Sequence, residues 1–325
     1  MENKIILALM QLKGISRKTI INRMSINTGC ICDVETINDL LWKTKNHFSR
    51  MQEYSSLEIE QAIEDASRII ENCEKLNIKM LTYLDHEYPE KMKKTTDYPA
   101  VIYYKGDISC LSTMNSVAIV GTREPSEYGR RIAFKLGESF AKRGFVDVSG
   151  LAIGCDTGGH EGCIAGNGKT IAVLAGGLDK IYPAVNKGLA EEIVKTGGAL
   201  LSEYPPYSAP FKSAFVDRDR IQAALSDGVM VIETREKGGT WHAVRFAGDY
   251  GRPVGCFKHP TKYEGIPQAS GNRLMIHDGI AHPLENDTDL DNFCILLKKP
   301  NETIEKKKEE YNQLTIDQFF NTQED

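Results

Sequence analysis

Six short apolar runs recur along the chain with helix-length segments between them: Val117 to Val120, Phe145 to Ser149, Thr170 to Leu174, Ala199 to Ser202, Gly228 to Glu233 and Pro253 to Phe257. Strands separated in this way are not hairpin neighbours. Each crossover carries the chain back to the edge where the previous strand began, which makes successive strands parallel and places helices on both faces of the sheet. The segments Ile132 to Arg143, His160 to Gly166, Leu189 to Lys195, Arg220 to Leu225 and His242 to Tyr250 carry helical spacing. The pattern predicts an α/β fold: a Rossmann-like, doubly wound, mostly parallel sheet over residues 76–296. Two further β-rich runs, Met80 to Leu84 and Ala100 to Tyr104, precede it and flank Tyr88-Pro89.

In such a sheet, ligands bind where the strands end at their carboxyl termini, so the five successive exits are informative. The first is Gly121-Thr122-Arg123, the second Gly150-Leu151-Ala152-Ile153-Gly154-Cys155-Asp156, and the third Gly176-Gly177-Leu178-Asp179-Lys180. The fourth is Glu203-Tyr204-Pro205-Pro206 and the fifth Lys237-Gly238-Gly239-Thr240. A purely structural account needs four separate glycine turns at one edge, whereas a single phosphate-lined groove explains them together. Backbone amides at the first exit are expected to converge on an anion, with the Arg123 guanidinium forking onto phosphate oxygens.

Beyond the fourth run, Lys212-Ser213-Ala214-Phe215-Val216-Asp217-Arg218-Asp219-Arg220 reads as a loop entering a helix. It combines Lys212, Arg218 and Arg220 with the Phe215 ring, the pairing of cation and aromatic that single-stranded nucleic acid requires. A solvated face is the alternative, with Asp217 and Asp219 pairing the arginines.

Composition limits the remaining classes. The 325 residues are 41% hydrophobic and 26% charged, with net charge −5, so bulk charge does not attract nucleic acid and any polyanion site is local. No run approaches the roughly 18 apolar residues of a membrane span, and the amino terminus lacks a secretory pattern, which predicts a cytoplasmic protein. Eight scattered cysteines are then reduced thiols. Cys30 and Cys32 lie too close for a zinc knuckle, and the seven histidines form no cluster, so no metal is expected.

Residues 1–75 read as a small helical module, with Ile5, Ile6, Leu9 and Leu12 on one face and Ile59, Ala62, Ile63, Ile69 and Ile70 on another. Leu12-Lys13-Gly14-Ile15-Ser16 resembles the hairpin of helix-hairpin-helix and SAM-like modules, and a plain helix connection is the alternative. Residues 297–325 read as a charged tail. Within it Gln313, Ile316, Phe319 and Phe320 have the spacing of a sliding-clamp-binding peptide, and an apolar turn docking on its own domain or on a dimer mate competes with that reading.

The chain resembles the DNA-processing protein A family, also called DprA or Smf. The residues that carry the resemblance are Val120-Gly121-Thr122-Arg123-Glu124-Pro125-Ser126 and Ser149-Gly150-Leu151-Ala152-Ile153-Gly154-Cys155-Asp156, followed by His160. Further blocks are Ala172 to Asn186, Leu201-Ser202-Glu203-Tyr204-Pro205-Pro206, and Gly271-Asn272-Arg273-Leu274 with Asp278-Gly279. The resemblance implies a non-catalytic cytoplasmic homodimer, needing no cofactor, that binds single-stranded DNA and helps load a RecA-type recombinase during DNA uptake. It implies nucleic-acid contacts at Arg123, Lys212, Phe215, Arg218 and Arg220, and the strand ends at the same edge add Gly121, Thr122, Ser149, Gly150, Gly239 and Thr240 as expected contacts.

The chain departs from the family pattern at three places. Arg218-Asp219-Arg220 stands where the family has Arg-Asn-Arg, and a carboxylate there is expected to weaken a polyanion site. Gly238-Gly239-Thr240-Trp241-His242 replaces a Ser-Gly-Ser-Leu segment, and the tail stands where relatives carry a winged-helix module. Two other readings use the same groove. A nucleotide-processing enzyme related to phosphoribohydrolases needs a carboxylate three residues beyond Thr240, where Ala243 stands. A nucleotide sensor needs only the groove.

Overall fold

The computed structural model describes residues 2–24, 32–46 and 52–299, so the proposed clamp peptide and Cys30 lie outside the described residues. Four helices come first: α1 (Glu2–Gln11), α2 (Arg17–Arg23), α3 (Val34–Asn46) and α4 (Ser56–Lys75). Ile5, Ile6 and Leu9 of α1 and Ile59, Ala62 and Ala66 of α4 recur at helical spacing and are buried, which packs the two helices face to face. Ser55 starts α4 with a capping box, its hydroxyl accepting from the Glu58 amide while the Glu58 carboxylate accepts from the Ser55 amide.

The sheet begins with β1 (Lys79–Thr82), α5 (Glu90–Lys93), β2 (Val101–Gly106) and α6 (Cys110–Thr113). The alternating part follows as β3 (Asn115–Val120), α7 (Glu127–Lys142), β4 (Phe145–Ser149), α8 (Cys155–Ala165), β5 (Thr170–Leu174), α9 (Lys187–Lys195) and β6 (Ala199–Ser202). It continues with α10 (Lys212–Leu225), β7 (Val229–Val231), α11 (Thr240–Asp249), β8 (Val254–Phe257) and α12 (Thr261–Glu264). The last elements are α13 (Ser270–His277), β9 (His282–Leu284) and α14 (Asp287–Leu297). All nine strands form one sheet in the order β1-β2-β6-β5-β4-β3-β7-β8-β9. β1 pairs with β2, and β2 with β6, in antiparallel fashion, and every pairing from β6 across to β9 is parallel.

Side chains alternate across the sheet. Val117 and Ile119 of β3 join Phe140 of α7 and Phe293 of α14, whereas Ala118 and Val120 join Ala223 of α10 and Trp241 of α11. Truncating a fully buried ring such as Phe140 to alanine costs about 3–5 kcal/mol. The amino-terminal helices share an apolar cluster with Val101 and Tyr103 of β2, Leu200 of β6 and Ile193 of α9. The doubly wound α/β expectation therefore holds. Growth of the sheet reverses direction at β3, with β4, β5 and β6 added on one side and β7, β8 and β9 on the other. The switch point, where a crevice forms, lies at the carboxyl ends of β3 and β7.

Two local expectations are corrected. Lys212 to Arg220 is not a loop but the first turns of α10. At about 100° per residue, Arg218 and Arg220 point roughly 200° apart around the helix axis and cannot serve one face. In addition, the sheet gains β9 and is followed by α14, neither of which the strand pattern revealed. No helix among the described residues is long and apolar enough to cross a membrane.

Candidate nucleic-acid interface

The turn that carries Arg123 is fixed by the neighbouring strand exit. The Thr122 amide donates to the Glu233 carbonyl at 2.7 Å, holding the exits of β3 and β7 side by side. The buried Glu233 carboxylate accepts from the Ser126 amide (2.7 Å), the Ser126 hydroxyl (2.6 Å) and His259 Nε2 (2.9 Å). Ser126 in turn caps α7, its hydroxyl accepting from the Gly129 amide at 2.9 Å. Burial works to raise the Glu233 carboxyl, but the bonds from His259 and Ser126 outweigh it and hold the group below its ordinary 4.5. The second exit closes directly onto the first. Gly154 has φ +93°, and a Cβ there would lie 2.5 Å from the Thr122 carbonyl oxygen, so only glycine permits the approach.

Arg218 projects from α10 beneath these turns and is 6% exposed. Its Nη1 lies 3.4 Å from Asp156 Oδ2 and its Nε 3.2 Å from Asp219 Oδ1. Gln222, one turn further along the same face, accepts from Arg218 Nη1 (2.7 Å) and from the Gly150 amide (2.9 Å) when its amide oxygen is turned toward them. One cation thus faces two carboxylates largely withdrawn from water. Burial pushes the Asp156 carboxyl up and that of Asp219 up to about 7, with Arg218 opposing both shifts. The local pairing that competed with a nucleic-acid role for these arginines is present.

A cavity of about 690 Å³ opens at the switch point, lined by Gly121, Thr122, Arg123, Lys212, Phe215, Arg218, Asp219, Arg235, Lys237, Gly239, Thr240 and His242, among others. A smaller cavity of about 80 Å³ sits at the β5 exit, with Gly150, Ile153, Lys180 and Tyr182 in its wall. Arg123, Ala152, Phe215 and Arg218 line both, so the two cavities adjoin across these side chains. The Arg123 guanidinium lies 5.2 Å over the Phe215 ring, a cation–π contact that presents both groups to the groove. Arg123, Lys212, Arg235 and Lys237 are exposed.

All the expected contact residues except Ser149 and Arg220 line this groove. Ser149 is buried at the end of β4, where its hydroxyl donates to the Ile119 carbonyl at 2.6 Å. Arg220, 2% exposed, donates from Nη1 to the Asp97 carbonyl at 2.8 Å and pairs with Glu203. Glu203 also receives Arg17 of α2 at 3.4 Å. Arg220 therefore stands in an ion-pair relay between the sheet and the amino-terminal helices.

The expected cradle of backbone amides is corrected as well. The Thr122 amide is taken by the Glu233 carbonyl, that of Glu124 by the Thr122 hydroxyl, and that of Ser126 by the Glu233 carboxylate. Asp156 accepts from the amides of Gly150 (3.2 Å) and Ala152 (3.3 Å). With these donors satisfied internally, the positive character of the groove comes from side chains and from the amino-terminal end of α11 at Gly239 and Thr240. Sequence reasoning did not single out Lys180, Tyr182, Gln222, Arg235 or Lys237 as site residues. Lys180 and Lys237 stand within the glycine-bearing exits, where an adjacent cation is a usable signal, whereas Gln222 offers only its four-residue spacing from Arg218.

Residues 79–294 match the family model described as DNA recombination-mediator protein A. The chain is 39% identical over 222 residues to the DNA processing protein DprA of Bacillus subtilis, an alignment covering 68% of this chain and 73% of that one. It is 38% identical over 215 residues to Protein Smf of Synechocystis, covering 65% of this chain and 53% of the relative, so the match spans about half of that protein's length. Among solved structures, DNA processing protein A from Streptococcus pneumoniae superposes with a TM-score of 0.73 at 26% identity, over 89% of this chain and 96% of that one. DNA processing protein A from Helicobacter pylori, described for its unique single-stranded DNA binding mode, superposes with a TM-score of 0.60 at 30% identity, over 68% and 96% of the two chains.

Proposed function

The chain belongs to the DNA recombination-mediator protein A family, and we propose that it binds single-stranded DNA in the groove at the carboxyl edge of its sheet without catalysing a reaction. The observation that carries this reading is the convergence of Arg123, Lys212 and Lys237 with the Phe215 ring on one cavity. Exposed cations neutralise successive phosphates, and a ring beside them stacks a base irrespective of sequence. Gly121, Thr122, Gly239 and Thr240 let the strand approach the backbone, and Arg218 adds charge from beneath. Gly150 leaves room for Arg218, while Ser149 and Arg220 hold the scaffold from behind. The single-stranded DNA binding of the Helicobacter relative supports the same ligand class.

A binding role also fits the titratable groups of the groove. Asp156 and Asp219 are committed to Arg218, and Ala243 occupies the position where a hydrolytic relative would place its carboxylate. Family membership supports a place in recombination, in which a homodimer of the chain protects the strand in the cytoplasm and passes it to a RecA-type recombinase. The tail peptide at Gln313, Ile316, Phe319 and Phe320 would add a sliding clamp as partner. Fluorescence anisotropy with a labelled oligo-dT tests the central step. Binding that weakens steeply with added salt is expected, and no binding even at low salt would refute it.

A further inference from the structure

We propose that the groove has two unlike walls, and that the wall built on Tyr182 seats the bases of a single strand while the phosphates run along the opposite, cationic wall. The inference rests on the reading of the groove as a single-stranded DNA site and adds to it a base-binding surface and a strand orientation.

The asymmetry follows from the sheet order. β4, β5 and β6 lie on one side of β3, and the loops after them carry Ile153, Tyr182, Val185, Tyr207 and Phe211. These are five of the nine large apolar side chains exposed among the described residues. Single exposed apolar residues are ordinary, but a group gathered at one edge marks a contact surface. On the other side of β3, the β7 exit presents Arg235 and Lys237, followed by the amino-terminal end of α11. Exposed apolar side chains thus gather on the β4–β6 side, where Ile153 and Tyr182 line the smaller cavity with Lys180 beside them, while Arg235 and Lys237 supply positive charge on the other side.

Tyr182 has the geometry of a base platform. Tyr182 is 54% exposed, and its ring meets Phe215 edge-on, with centroids 6.0 Å apart and planes at 63°. A base stacked on the open face of Tyr182 is then a neighbour of the Phe215 and Arg123 pair, at the boundary shared by the two cavities. The wall is held in place by its own backbone. Asp179 accepts from the Tyr207 amide at 2.6 Å, and the Gly177 amide donates to the Ser208 carbonyl at 2.8 Å, tying the loops after β5 and β6 together. Continuity with the cationic flank identifies the occupant, because a strand whose phosphates lie at Arg235 and Lys237 directs its bases across the groove.

The test compares oligo-dT with an abasic strand of equal length over a salt series, using the full chain, Tyr182→Ala, Tyr182→Phe and Lys237→Ala. Tyr182→Ala should weaken dT binding about tenfold and leave the abasic strand and the salt slope unchanged, with Tyr182→Phe close to the unaltered chain. Lys237→Ala should lower the salt slope for both strands. An unchanged melting temperature for Tyr182→Ala is expected from its exposure. Unaltered dT binding by Tyr182→Ala, or an equal loss on the abasic strand, overturns the proposal while leaving the DNA-binding reading intact. Absence of dT binding by the unaltered chain overturns both.

Discussion

The guanidinium of Arg218 fills the space that a side chain at position 150 would need, since a Cβ on Gly150 would lie 0.9 Å from Arg218 Nη1. Glycine at this position is what lets a long cation from α10 reach the floor of the groove. Gly150→Ala should therefore displace Arg218, destabilise the fold by about 1–3 kcal/mol through overpacking, and weaken single-strand binding. Thermal melts and anisotropy on the same preparation check both effects. Unchanged stability and affinity would show that Arg218 does not occupy this position.

Arg220 provides a contrast two residues away. It is buried against Glu203 and the Asp97 carbonyl, and Arg220→Ala leaves the Glu203 carboxylate with only its Arg17 partner. A loss of roughly 3–5 kcal/mol in denaturant unfolding is expected, as for one partner removed from a buried pair. Affinity for oligo-dT, measured where the variant is fully folded, should stay within about twofold of the unaltered chain. A tenfold loss of affinity with stability intact would instead make Arg220 a DNA contact.

Asp219 gives the groove a pH dependence of defined sign. Burial is the main cause that pushes its carboxyl up to about 7, with Arg218 opposing and Asp156 adding to the rise. Because the folded value exceeds the ordinary 3.8, stability from this group is fully present below that value and is lost as pH climbs through about 7. A phosphate arriving on Arg123 and Arg218 adds negative charge, so strand binding takes up a proton and weakens as pH rises from about 6.5 to 8. Asp219→Asn should bind tighter at pH 8, by roughly tenfold, with a flatter profile over that interval. His242 lines the same groove, but burial and Arg245 hold it below 6.5, so its titration falls on the acid side of this window. Superimposable pH profiles for the two chains would contradict the assignment.

The strands from β3 to β8 were legible in the sequence because parallel strands buried on both faces are apolar throughout, as in Val117-Ala118-Ile119-Val120. β9 was not legible. At the sheet edge it buries only Leu284, and its His282 and Pro283 are exposed. The start of α10 was hidden for another reason. Asp217, Arg218, Asp219 and Arg220 in succession show no apolar face, because the carboxylates that pair with the two arginines, Asp156 and Glu203, come from other strand ends. Glycines of the four glycine-bearing exits line the two adjoining cavities. Which of their amides remained available was invisible, since the competing acceptors at Glu233 and Asp156 are long-range contacts.

The most direct test of the account is the salt dependence of oligo-dT binding by the full chain and by Arg123→Ala. Arg123 is exposed and lines both cavities, so its removal should weaken binding and lower the slope of log affinity against log salt by about 0.7, the share of one phosphate on a single strand. An Arg123→Ala chain with the affinity and slope of the unaltered protein would contradict the assignment of this groove as the DNA site.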